Sequence, residues 1–210
     1  MCVFMKNEAL GKKPNPESVS HAVKYCYHLK SIMPRLQEFE EDMQICFKWK
    51  TAYEGGMTLQ SNKLLFEWAC CMWNIGAAES YMGSTAERAT EEGIKTANKH
   101  FQAAAGYFDL LLQEDLPSTL KNNILPCIST ESLRMAKHLM LAQAQLCFYE
   151  KAVKDRKTGN MKPSIIAKIA LQTSKFYAQT STDCIDPALS RVLDSSWGAL
   201  CGFQSKCFEG

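Results

Sequence analysis

Ten cysteines and four histidines are the side chains with which this 210-residue chain would bind a metal or attack a substrate. A structural zinc site needs Cys and His at short fixed spacings, typically paired C-x-x-C turns. Here the cysteines stand at 2, 26, 46, 70, 71, 127, 147, 184, 201 and 207, with no C-x-x-C among them. His21 and His28 are seven apart and share a helix side, but no third ligand is spaced to join them; His100 and His138 have no ligand at metal spacing either. Several cysteines fall on apolar helical stripes, where a thiol packs as a small hydrophobe. The opening stretch carries Lys6, Glu8, Lys12 and Lys13 in place of the apolar run of a signal peptide, so the thiols read as reduced and structural. The adjacent pair Cys70 and Cys71 is the one candidate for thiol redox chemistry. G-x-S-x-G, P-loop, G-x-G-x-x-G and H-E-x-x-H patterns do not occur. The residues therefore predict a chain that is no enzyme and needs neither cofactor nor metal.

Recognition chemistry is better represented. Lys95 and Lys99 lie at i and i+4, off the Ile94/Ala97/Phe101 stripe, and project together; Glu91 stands one turn before Lys95. Phe148 sits off the most apolar side of its helix, one turn before Lys151. Ile165 and Ile169 form an apolar i, i+4 pair that Ile166 and Ala170 duplicate on the neighbouring side. Two such stripes cannot both face one core, so either both are buried between layers or one is open to a partner helix. Net charge is +2, from 24 Lys+Arg and 22 Asp+Glu, which gives no bulk attraction to nucleic acid. Lys154, Arg156, Lys157 and Lys162 cluster in one turn, the sole hint of peripheral membrane contact. No run approaches the roughly 18 apolar residues of a membrane span.

These side chains need helices to position them. Residues 1–14 have no clear period and read as a loose lead-in. Asn15-Pro16 opens a helix with Val19, Ala22, Val23, Cys26, Leu29 and Met33 at helical spacing, and Pro34 is expected to stop it. Residues 43–50 alternate apolar and polar, the pattern of a short strand. Ser61 is expected to cap a helix ended by Gly83. A third helix spans Thr90 to Leu112, a long loop follows to Ser129, and an all-round apolar, hence central, helix runs to about Val153. Pro163 starts a fifth helix and Asp186-Pro187 caps a sixth. The class is mainly α, and successive antiparallel helices suggest a solenoid.

The residues also resemble a family. Phe66-Glu67 with Trp73-Asn74-Ile75-Gly76-Ala77, Gly93-Ile94-Lys95 with His100-Phe101-Gln102-Ala103-Ala104-Ala105-Gly106-Tyr107-Phe108, Leu139-Met140-Leu141-Ala142-Gln143-Ala144-Gln145 with Lys151-Ala152, and Ile165-Ile166-Ala167-Lys168-Ile169 resemble successive motifs of the BRO domain. Phe176-Tyr177 and the Ile45 to Lys50 segment match as well, in order, from about Ser18 to Phe208. The resemblance implies a curved, boomerang-shaped tetratricopeptide-like helical solenoid over residues 15–210, with at most a small hairpin or strand near 43–50. It implies a non-enzymatic adaptor of endosomal sorting, cytoplasmic and recruited to endosomes, whose concave groove binds the C-terminal amphipathic helix of an ESCRT-III subunit. The partner-binding residues it implies are Lys95, Lys99, Phe148, Lys151, Ile165 and Ile169, with no small-molecule substrate. The alternatives are a signalling scaffold of the PalA-like or rhophilin-like kind within the family, or a non-functional truncated form. Leu146 replaces the glutamate that follows the AQAQ run, and the turn before Ile165 is longer than the family's, leaving Ile165 and Ile166 one register step apart. The domain reads as truncated at both ends, which would expose the face that Trp197 and Phe203 should bury.

Overall fold

Asn15 opens α1 (Pro16–Leu36) as its sequence demands: Asn15 Oδ1 accepts from the Ser18 backbone N–H at 2.9 Å, and Ser18 Oγ donates back to the Asn15 carbonyl at 2.8 Å. Pro34 does not stop the helix. It lies inside the last turn, where its missing N–H removes one bond and those of its neighbours carry the chain two residues further. The structure, a computed structural model, describes residues 13–53, 56–121, 123–159 and 161–209; most of the expected lead-in falls outside them.

The expected strand shortens to β1 (Phe47–Lys50), which pairs antiparallel with β2 (Thr58–Ser61) in register Phe47 to Ser61 and Trp49 to Leu59. Met43 and Ile45 precede the ladder, while Trp49 is buried between exposed Lys48 and Lys50. The next helix, α2 (Leu64–Thr85), is not capped by Ser61: Glu40, buried after α1, accepts from the Leu64 N–H at 3.1 Å. Gly83 does not end α2 either. Gly76 and Gly83 are seven apart, hence on one side of α2, and face two rings of α3 (Glu91–Leu112) with the same spacing. A Cβ on Gly76 would lie 2.8 Å from Phe108 Cε1, and one on Gly83 would lie 2.9 Å from Phe101 Cε1. The two glycines let α3 approach closely, and α2 continues past both.

α3 begins where expected, with Thr90 Oγ1 accepting from Gly93 N at 3.0 Å. The supposed long loop contains a short helix, α4 (Leu116–Thr119), and a 3-10 turn (Pro126–Ile128). The central helix α5 (Thr130–Lys157) extends beyond Val153 and ends before Gly159, whose φ of +80° turns the chain. Pro163 does open α6 (Pro163–Cys184). Asp186 caps no helix; its side chain accepts from Ala188 N at 2.9 Å in a local turn, and α7 (Ser196–Cys207) starts later.

Helices pack in chain order: α1 on α2, α2 on α3, α3 on α5, α5 on α6, α6 on α7. That is the sequential layering of a solenoid. α5, buried along most of its length between α3 and α6, is its centre. Phe203 is 63% exposed, and Trp197 is half-buried against the core.

Candidate functional site: a groove over α3, α5 and α6

Three carboxylates, half-buried Glu67 and buried Glu79 and Asp183, hold the layers in place. Glu67 on α2 accepts from Trp49 Nε1 at 2.6 Å and from the Tyr25 hydroxyl at 3.2 Å, joining β1 and α1 to α2. Glu79 on α2 meets His100 Nδ1 on α3 at 2.6 Å, and Asp183 on α6 meets His138 Nδ1 on α5 at 2.5 Å. Asn98 Nδ2 donates to the Ala144 carbonyl at 2.8 Å and fixes α3 against α5. His21 and His28 are exposed on α1, and among the described residues no group of three or more His, Cys, Asp or Glu could hold a metal ion.

Cys70 is buried, and burial pushes its thiol well above the ordinary range. Cys71 is also held up, first by its hydrogen-bonded neighbour Cys26 and then by burial. Neither is a ready thiolate, which argues against the redox reading.

Over this frame lies a groove of about 370 Å³, floored by Gly106 and Gln102 of α3, Leu141 and Gln145 of α5, and bordered by Phe148 and by Phe176 of α6. A Cβ on Gly106 would touch nothing within 4 Å, so the α3 side of the groove is open. Phe148 is 49% exposed. On α6, Ile166 is buried at 8%, and Ile165 stands out at 43%. Ile165, half-buried Ile169 and Phe176 fall at i, i+4 and i+11, one stripe of α6.

The three lysines are placed unequally. Lys95 Nζ lies 3.0 Å from Glu91 Oε1, and Lys151 Nζ lies 3.3 Å from the same oxygen. One carboxylate thus joins the lysine of α3 to that of α5. Lys151 also binds Asp155 at 2.9 Å. Asp155, with Glu91, holds the Lys151 ammonium above its usual range, while Lys95, with Lys151, holds the Glu91 carboxyl below its own. Lys99 is exposed, with no ion pair among the described residues. Of the basic turn, Lys154 donates to the Arg88 and Ala89 carbonyls at 2.9 and 2.6 Å, which leaves Arg156, Lys157 and Lys162 exposed. Sequence reasoning missed Asp155, Leu141 and Phe176. Asp155 was detectable as an i, i+4 partner of Lys151; the other two look like core residues in any apolar helix.

The BRO1-like domain profile matches residues 4–210. The chain belongs to the BRO1-like domain family. It is 32% identical over 187 residues to "ALG-2 interacting protein X" of Dictyostelium discoideum, covering 89% of this chain and 23% of that protein. It is 31% identical over 174 residues to "Vacuolar protein-sorting protein BRO1" of Gibberella zeae, covering 83% of this chain and 16% of that one. The chain therefore spans less than a quarter of either relative. Among solved structures, the "ALIX BRO1 CHMP4C complex" superposes with a TM-score of 0.81 at 24% identity, over 96% of this chain and 56% of that one. The fold is that of the helical BRO1 domain. No described helix is long and apolar enough to cross a membrane.

Proposed function

We propose that this BRO1-like chain, over residues 15–210, is a non-enzymatic adaptor module that receives an amphipathic helix of an ESCRT-III subunit along the groove of α3, α5 and α6. Phe148, Ile165 and Ile169 take the ligand's apolar anchors, while Lys95, Lys99 and Lys151 draw its acidic residues and set its register. The observation that carries this reading is the exposure of Phe148 and Ile165, 49% and 43%, on adjacent helices α5 and α6, with Lys151 one turn beyond Phe148 and joined through Glu91 to Lys95. Exposed apolar side chains of this size that lie together mark a surface suited to a partner. The structural likeness to a BRO1 domain solved with CHMP4C supports the choice of partner. The likeness to a vacuolar protein-sorting protein supports a place at the cytoplasmic face of endosomes. Exposed Arg156, Lys157 and Lys162 are available for peripheral contact with the membrane there.

Fluorescence anisotropy with a labelled ESCRT-III C-terminal peptide tests this reading. Wild type is expected to bind saturably and Ile165→Asp to bind at least about tenfold more weakly. Equal binding by a folded Ile165→Asp variant rejects the groove.

A further inference from the structure

Lys95 and Lys151 are already occupied by the chain's own acids. Glu91 Oε1 lies within 3.0 Å of Lys95 and 3.3 Å of Lys151, and Asp155 lies 2.9 Å from Lys151 on its other side. Three lysines (Lys95, Lys99, Lys151) against two carboxylates (Glu91, Asp155) leave one net positive charge, and Lys99 is the one cation of the three without an ion pair among the described residues. The arrangement is held from below. Lys154 on α5 binds the Arg88 and Ala89 carbonyls just before α3, and Arg88 pairs with Glu150 of α5 at 3.2 Å. These bonds fix the start of α3, and Glu91 with it, against α5. The carboxylate itself remains 58% exposed, so water and an incoming ligand both reach it.

We propose that Glu91 is a built-in competitor for the acidic partner of this groove. A ligand carboxylate first meets unpaired Lys99 and then exchanges with Glu91 for Lys95 and Lys151. The inference rests on the groove reading and adds to it a rule for the ligand. The partner must bring carboxylates of its own, because an apolar helix alone cannot displace Glu91. Exchange of one carboxylate for another also makes wild-type binding less sensitive to salt than the number of lysines suggests, since no net ion pair is gained at two of them.

The test compares wild type, Glu91→Gln, Asp155→Asn and Ile165→Asp, each as the full chain, with an acidic ESCRT-III C-terminal peptide and with the same peptide carrying Gln for Glu. Glu91→Gln is expected to bind the acidic peptide about threefold more tightly at low salt. Its affinity should fall more steeply with salt than that of wild type, and it should gain nothing with the neutral peptide. Asp155→Asn, which frees Lys151 alone, shows a smaller gain and carries the test if Glu91→Gln fails to fold. Unchanged or weaker binding of the acidic peptide by folded Glu91→Gln overturns the proposal, as does an equal gain with the neutral peptide. Loss of binding in Ile165→Asp beside an unmoved Glu91→Gln removes this inference and leaves the groove standing. No binding by any chain, wild type included, removes both.

Discussion

Asp183 and Glu91 are both carboxylates shared between donors on neighbouring helices, yet they do opposite work. Asp183 is buried between α5 and α6, where His138 at 2.5 Å, Gln179 at 3.2 Å and the more distant Arg134 at 3.7 Å hold it. Glu91 sits at the solvent-facing start of α3 with two flexible lysines. A buried charge must keep its partners, because losing them leaves it desolvated and unpaired. An exposed one exchanges partners with little loss, since water replaces whatever leaves. The same division holds for apolar groups. The rings of Phe101 and Phe108 are locked against Gly83 and Gly76, whereas Phe148 and Ile165 stand half in water. Environment, not residue type, separates the frame from the surface that meets a partner.

The contrast breaks first at the glycine seam. Gly76→Val places carbon atoms where Phe108 already lies, 2.8 Å from the nearest point, and is expected to lower stability by about 2–3 kcal/mol in chemical denaturation. An unchanged midpoint would show that α2 and α3 do not meet there. Next comes Asp183→Ala, which strips His138 and Arg134 of their shared partner and should remove about 2 kcal/mol, measured the same way. Peptide affinity per folded molecule should stay constant in that variant, because Asp183 is buried between α5 and α6 and does not reach the surface. Smallest of all is Gly106→Ala. Its Cβ meets nothing, so stability should hold or rise slightly through lower backbone freedom in the unfolded chain. A large destabilisation would mean that the α3 side of the groove is packed shut.

Much of this was readable from residue spacing. The 3.6-residue period located α1, α2, α3, α5 and α6, and the cap at Asn15 and the proline at Pro163 fixed two of their starts. The failures share a cause. Ser61, Gly83 and Asp186 carry local signals for helix ends, and each was overruled by a contact distant in sequence or by a different local turn. Glu40 caps α2 from 24 residues away, and Phe101 explains Gly83 without a helix end. β2 (Thr58–Ser61) is short and polar, and became visible only through its pairing with β1. At the site, the choice between Ile165 and Ile166 was beyond any periodicity argument, because both belong to apolar i, i+4 pairs. Only the packing of α6 tells the two apart, burying Ile166 at 8% and leaving Ile165 43% exposed. The cross-helix bond from Glu91 to Lys151 was equally hidden, since it joins residues of α3 and α5.

Isoleucine methyl NMR during titration with the ESCRT-III peptide tests the central claim most directly, since the two candidate stripes differ by one residue. The account predicts that the methyl signals of Ile165 and Ile169 shift with ligand while those of Ile166 and the core residue Ile94 hold still. Shifts confined to Ile166, or spread evenly over all four, would contradict it and place the partner elsewhere on the solenoid.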